Sequence, residues 1–479
     1  MTKDTPLRCR ADLLAFYRFL RPGDPSSRTA DLVRDLRFQI GPSPVPANHR
    51  DRRQLPEIGQ DEAIEAFIGI LDHCRRLRRL HIVQLEWDLQ VPPSLLFHTL
   101  SHLTLLEDLE INLDEEVEPV DLHQLAALPL RRLTCLWAPR MAPQFGEFAA
   151  IAPLARTLVE LDLPMYAHKC KLFNATFPSV RKVALWVPRG RAFVTGLCST
   201  FPGLSHLTLR GQCPWTHQWG TWIVHGGEAT NETIRETHVE QWKGLPGAWP
   251  DLAVVRVEDP RTAYLLGLDR SVASLSLAWL SYTPESAFVT AVEDTHPTCV
   301  EFVMDLPTYM GSMSVGGGPY GALSQLDSIS SLQYLVVHLR KFSIQMLCGE
   351  SVEPIHLLAS ALEDLPVTHL VIKLDLGPFG LHVMERDRVH TVVDYGQDVY
   401  NAEDGVKLLD AAETWATLIA GSSRTLQWIA VYVPRDRVRS WEVSRQAGGE
   451  EDELEAALWE LEEDEAWDVL SAESLREFM

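Results

Sequence analysis

The stretch CPWTHQWGTWIVHGGEATNET, residues 213–233, gathers the residue types best suited to chemistry: Cys213, His217 and His225 among Trp215, Trp219 and Trp222. Thiolate and imidazole are zinc ligands, but this spacing matches no zinc pattern. Tryptophans anchor protein interfaces, and they equally fold a loop back onto its own core, so both roles stay open here. The run GSMSVGGGPYG, 311–321, has the glycines of a phosphate loop without the Gly-Lys-Ser/Thr ending such a loop needs, and reads as a connecting loop. His168-Lys-Cys170 is isolated. No GxSxG, HExxH or CxxC occurs. The expectation is a protein that is not an enzyme and carries no cofactor and no metal.

The elements that position side chains announce themselves as a repeat. A phrase recurs: apolar, two polar, apolar, one variable, apolar. Its clear copies are Leu77-RR-Leu80-H-Ile82, Leu106-ED-Leu109-E-Ile111, Leu158-VE-Leu161-D-Leu163, Val180-RK-Val183-A-Leu185 and Leu204-SH-Leu207-T-Leu209. Five more begin at Leu252, Val272, Leu332, Val367 and Leu426, and weaker ones at Val33, Leu130, Ile234 and Cys299. The last three positions alternate in, out, in, which is the period of a strand. One such strand cannot bury its apolar side alone, so neighbours must stack beside it. Between copies the period becomes helical. Ile64, Phe67, Ile68 and Leu71 stand at i, i+3, i+4, i+7, and 355–365 and 406–419 read the same way.

Charge and cysteines narrow the setting. The net charge is −23, and residues 450–479 hold 13 Asp/Glu against one Arg. Phosphate backbones and anionic membrane surfaces repel such a chain, so neither nucleic acid nor membrane is expected as a partner. No apolar run approaches the roughly 18 residues that span a bilayer, and the first residues make a poor secretory signal. The eight cysteines are scattered, unlike a disulfide framework. An intracellular protein, of cytoplasm or nucleus, is the reading. The sequons at Asn174 and Asn231 are then chance matches.

The phrases CRRLRRLHI, FPSVRKVALWV and FPGLSHLTLRG resemble those of fungal F-box-like proteins with degenerate leucine-rich repeats. The opening LLAFYRFLRPGDPSSRTADLVRDLRFQI resembles the segment that follows the F-box there, and the resemblance covers most of 11–433. It implies a substrate receptor of a cullin-type ubiquitin ligase, in which F-box helices hold a Skp-type adaptor and the repeats hold the substrate. This chain departs from that plan. A phrase like the start of an F-box, Leu55-Pro-Glu-Ile58, falls after the first strand, and its downstream helix runs into the repeat at Leu77. Adaptor binding is therefore expected only if an F-box lies elsewhere.

The expected fold is an α/β, irregular leucine-rich-repeat-like solenoid with a parallel sheet on its concave face. Residues 1–40 supply a helix and first strand, 41–60 a linker containing GPSPVP, 61–433 the array, and 434–479 an acidic tail. In that tail Leu454, Leu458 and Leu461 have the spacing of an amphipathic helix, either capping the array or docking a basic partner. The expected function is binding of a protein partner through side chains that alternate with the buried ones. Those are Trp186, His206, Arg210, Tyr334, His338, Lys373, Trp428 and Tyr432. The alternatives are a structural repeat protein without a ligase role and an α/β enzyme.

Overall fold

A computed structural model of the protein describes residues 7, 10–20, 29–40, 59–85, 91–113, 122–137, 151–166, 175–186, 194–210, 228–279, 284–305, 318–326, 329–340, 353–375, 402–433, 437–447 and 454–472. The proline run at 41–46, the phrase at 55–58, the residues at 168–170, the tryptophan-rich residues 213–227 and the glycine-rich residues 311–317 lie outside them. Among the described residues the protein is mixed α/β, with 11 helices and a 15-stranded, mostly parallel sheet. No helix among them is long and apolar enough to cross a membrane.

The chain divides into two compact units, 1–230 with 240–252, and 231–239 with 253–479. The first holds α1 (Arg10–Leu20), β1 (Asp35–Ile40), α2 (Gln60–His73), β2 (Arg79–Leu85), α3 (Pro93–Leu100), β3 (Asp108–Leu113), β4 (Arg132–Trp137), β5 (Glu160–Tyr166), β6 (Lys182–Trp186), α4 (Val194–Thr200) and β7 (His206–Arg210). Short 3₁₀ turns, Gln124–Ala127 and Ala152–Arg156, stand where helices would precede β4 and β5. After α5 (Glu228–Lys243), the second unit holds β8 (Val254–Val257), α6 (Pro260–Leu266), β9 (Ser274–Trp279), α7 (Glu285–Thr295), β10 (Cys299–Asp305), α8 (Gly318–Ser324), β11 (Tyr334–Arg340), α9 (Glu353–Ala361), β12 (His369–Asp375), α10 (Ala402–Ser422) and β13 (Trp428–Val433). It ends on β14 (Arg437–Ala447), β15 (Leu454–Leu461) and α11 (Glu463–Ala472). Strands β1 to β7 pair in parallel in chain order, and so do β8 to β13. The pairs β13·β14 and β14·β15 are antiparallel.

Thirteen of the fourteen copies of the phrase become β1 to β13, one strand each. The phrase's last two apolar residues face the helices, as Leu80 and Ile82, Leu109 and Ile111, and Leu207 and Leu209 do, all fully buried. Its first apolar residue, three places earlier, is buried too: Leu77, Leu106, Leu158 and Leu204 are inaccessible. Between them the backbone extends the ladder by one step. The Arg78 carbonyl accepts from the N–H of Glu107 at 2.9 Å and of Asp108 at 3.0 Å, and Arg131 does the same for Val159 and Glu160. On the helix side the core closes with aromatic contacts, Phe38 on Phe67 at 4.7 Å and Phe288 on Phe302 at 5.4 Å.

Two expectations are corrected. The copy at Ile234 is not a strand but the middle of α5. Its second apolar place is Thr237, which is exposed, while His238 and Trp242 are buried at helical spacing. The helix expected at 454–461 is β15, paired along its length with β14. Leu454, Leu458 and Leu461 fit a helix by spacing, but β14 offers an open edge that a second strand completes. The amphipathic helix of the tail comes just after, at α11.

Candidate recognition face

Alternation along each strand leaves the phrase's third and fifth positions on the face away from the helices. Parallel, in-register pairing then lines up equal positions of successive copies about 4.8 Å apart. In the first unit the third positions read Asp35, Arg79, Asp108, Arg132, Glu160, Lys182 and His206. Their signs alternate at each step down to Lys182. Arg79 lies 3.8 Å from Asp35, Arg132 3.3 Å from Asp108 and 2.6 Å from Glu160, and Lys182 3.6 Å from Glu160. The basic side chains are half exposed, so each pair is worth at most about 1 kcal/mol. Their sum matters more for register, because a slip by one copy would set like charges face to face.

The fifth positions of the first unit add Arg37, His81, Glu110, Thr134 and Asp162. The His81 Nδ1–H donates to Glu110 at 2.7 Å. That hydrogen bond, ahead of the opposing effect of burial, holds the His81 imidazole above its ordinary 6.5, and it holds the Glu110 carboxyl below its ordinary 4.5. Histidine's share of the stability is complete below 6.5 and is lost as pH rises through its folded value. Glutamate's share is complete above 4.5 and is lost as pH falls through its folded value. The pair therefore stabilises most between 4.5 and 6.5. His81→Phe is expected to shrink the stability difference between about pH 5.5 and about pH 8, measured by urea unfolding. An unchanged difference would contradict this pairing.

Two of the residues expected to bind a partner belong to this unit's face with described side chains. Arg210 is not free for one: its two terminal nitrogens grip Asp162 at 2.9 Å and 2.6 Å. Burial pushes the Asp162 carboxyl up, and Arg210 pulls against that shift. His206 is half-buried beside the Ser205 hydroxyl, 2.8 Å from its Nδ1. Trp186 closes β6 opposite Arg210, and its side chain lies outside the described residues. Five basic side chains here (Arg37, Arg79, Arg132, Lys182, Arg210) meet five acidic ones (Asp35, Asp108, Glu110, Glu160, Asp162), so the face largely neutralises itself.

The second unit's face has a different chemistry. Its third positions are Val254, Ser274, Tyr334, His369 and Trp428 in register, and Cys299 stands among them, so the copy expected to begin at Cys299 is two residues out of step with its neighbours: Cys299 pairs with Ser274 and Tyr334. The rings of Tyr334, His369 and Trp428 lie side by side and tilted, with centroids 4.9 Å apart for Tyr334–His369 and 6.0 Å for His369–Trp428. The next row is Arg256, Ser276, Glu301, Val336, Val371 and Ala430, in which the Ser276 hydroxyl donates to the buried Glu301 at 2.6 Å. A third row brings His338, Lys373 and Tyr432 together.

Here Trp428 departs from expectation. It points to the intended face but is only 3% exposed, because α11 folds back over that face. Ala466 and Leu470 of the helix are fully buried against Val336, Val371, Trp428, Ala430 and Val438, with Tyr334, Tyr432 and Trp467 packed at the margin. Tyr432 meets Trp467 edge to face at 6.2 Å. The expected binding residues Tyr334, Trp428 and Tyr432 thus lie under or beside a piece of the chain itself. At the edge of the same face, on β15, Trp459 is 62% exposed.

The charge ladder is what sequence reading missed. Its signal lies across copies and not along any one strand: the third letters of successive phrases alternate in sign from Asp35 to Lys182. Nothing among the described residues forms a group of three or more His, Cys, Asp or Glu that could hold a metal ion. Burial pushes the thiols of Cys74 and Cys299 up to about 12, so both stay protonated at neutral pH and are poor nucleophiles. No protein-family model matches the chain, and no curated protein matches it.

Proposed function

We propose that this chain is a leucine-rich-repeat-like protein whose task is to bind another protein through the sheet face turned away from the helices. The observation that carries the reading is the second unit's in-register row of Tyr334, His369 and Trp428, flanked by His338, Lys373 and Tyr432 and covered at Trp428 by α11. Aromatic side chains on a rigid backing, with basic groups at the margin, are the composition of protein-binding hot spots. That thirteen of the fourteen phrase copies fall on successive strands supports the repeat reading, since each strand buries its apolar side only against its neighbours.

The test is capture from a cell extract by the intact chain, compared with two face variants and a control. Lys182→Glu and Trp459→Ala alter exposed residues of the face, and Glu293→Lys alters the exposed side of α7. Proteins retained by the wild type and the control but lost by a face variant are the expected result. An identical set from all four would count against the face.

A diverged substrate receptor of a cullin-type ubiquitin ligase is the more specific form of this reading, and it rests on resemblance. The helix that would serve the adaptor is already occupied: Phe67, Ile70 and Leu71 of α2 are fully buried, Phe67 against Phe38. Purified together with a Skp-type adaptor at micromolar concentration, this polypeptide is expected to run apart from it. A stable one-to-one complex would give the ligase role a mechanism and contradict the packing argument.

A further inference from the structure

The tail helix α11 sits where a partner would sit, and its own composition describes that partner. Its sequence, EDEAWDVLSA, carries the exposed Asp464, Glu465 and Asp468 on one side and Ala466, Trp467, Val469 and Leu470 on the other, with Glu463 exposed at its first position. It is ten residues long, too short to hold its shape alone in water. Its order therefore comes from the face beneath it. That face is apolar under Ala466 and Leu470, and its third row sets Lys373 beside Tyr432 and His338 beside Lys373. The charge of Lys373 is opposite in sign to that of the acidic helix, which favours such an occupant.

The cover is also incomplete. Trp428, 3% exposed, has a buried indole N–H with no hydrogen-bond partner. Ser440, paired with Ala430 in the same row and fully buried, has a hydroxyl with none. Buried polar groups in native proteins are nearly always satisfied. The residues of α11 packed on the face here, Ala466, Leu470, Trp467 and Val469, offer no side-chain acceptor. An occupant of similar shape with polar groups over these atoms would satisfy them.

We propose that the face of β11 to β14 is a docking site for an acidic amphipathic helix of a partner protein, and that α11 is its resident, displaceable occupant. The inference deepens the recognition reading and rests on it. In the free protein α11 shields the aromatic row from solvent. A partner helix that keeps the apolar spacing of Ala466 and Leu470 and adds a polar group over Trp428 and Ser440 displaces it.

The test needs no unknown partner. A fluorescent peptide of residues 462–472 serves as probe, against the intact chain and against Leu470→Glu, which places a charge in the buried contact and frees the helix. The freed protein is expected to bind the peptide at least about tenfold more tightly than the intact one. Adding Lys373→Glu to the freed protein is expected to weaken that binding by a similar factor. In the unaltered chain, amides of α11 are expected to exchange with deuterium at least about a hundredfold faster than those of β13, through local opening. Exchange of α11 no faster than β13 would overturn the proposal, because the helix would then leave only when the unit unfolds. Equal peptide binding by the intact and freed proteins would overturn it too. If Leu470→Glu does not fold, the exchange comparison decides alone. Neither readout involves an outside partner, so a helix that never opens, in a protein whose face variants still lose captured proteins, sinks this inference and leaves the recognition reading in place.

Discussion

Leu207→Asp is expected to abolish the folded first unit under conditions where the wild type is stable. Leu207 is the second apolar residue of its phrase, fully buried on β7 and paired with Val183 of β6. The neighbours that close this part of the core, Phe201, Leu204 and Leu209, are inaccessible as well. A carboxylate there has no partner, and it either stays charged in an apolar layer or takes up a proton. Both are costly, and the loss should exceed about 4 kcal/mol, the range reached by unpaired buried charge. His206→Ala, one residue earlier on the other face, should lose less than about 1 kcal/mol. Urea unfolding of the two variants measures the contrast. Equal loss would mean that the strand's two faces have been exchanged.

Trp428→Ala should cost about 3–5 kcal/mol, the usual range for truncating a large buried aromatic. As an open binding residue it would cost almost nothing. The difference lies in α11: Trp428 is covered by Ala466 and Leu470 and lies beside the tilted ring of His369. Trp428→Phe should cost much less than the alanine change, because it removes the indole N–H that has no partner. Thermal or urea unfolding compares the three proteins. A Trp428→Ala protein as stable as the wild type would show that the helix does not cover the face in solution.

Much of the framework was legible because each copy carries its structure locally. The pair Leu80 and Ile82, with Leu77 three places ahead, states a strand and the turn into it without reference to any other part of the chain. Helices α2, α9 and α10 were legible for the same reason, in their own apolar spacing. The failures share a cause: the deciding interaction is not local. Residues 454–461 have helical spacing, yet β14 pairs with them along their whole length. The one sign in the sequence was the Gly448-Gly449 pair between two strand-length segments, a turn signal. Arg210 read as an open binding residue because Asp162, which holds it, lies two copies away. Trp428 read as exposed because its cover comes from a helix that follows two further strands. Alternation assigns a side chain to a face and says nothing of what later lies on that face.

The face itself is tested most directly by light-activated crosslinking inside cells. A photoreactive amino acid is placed singly at Lys182 or Trp459 on the open face, and at Glu62 of α2 or Glu293 of α7 on the helix side, all exposed positions. The account predicts discrete crosslinked protein adducts from the first two positions and none from the helix positions. Adducts from Glu62 and Glu293 with none from Lys182 and Trp459 would contradict it, because recognition would then belong to the helices and not to the sheet.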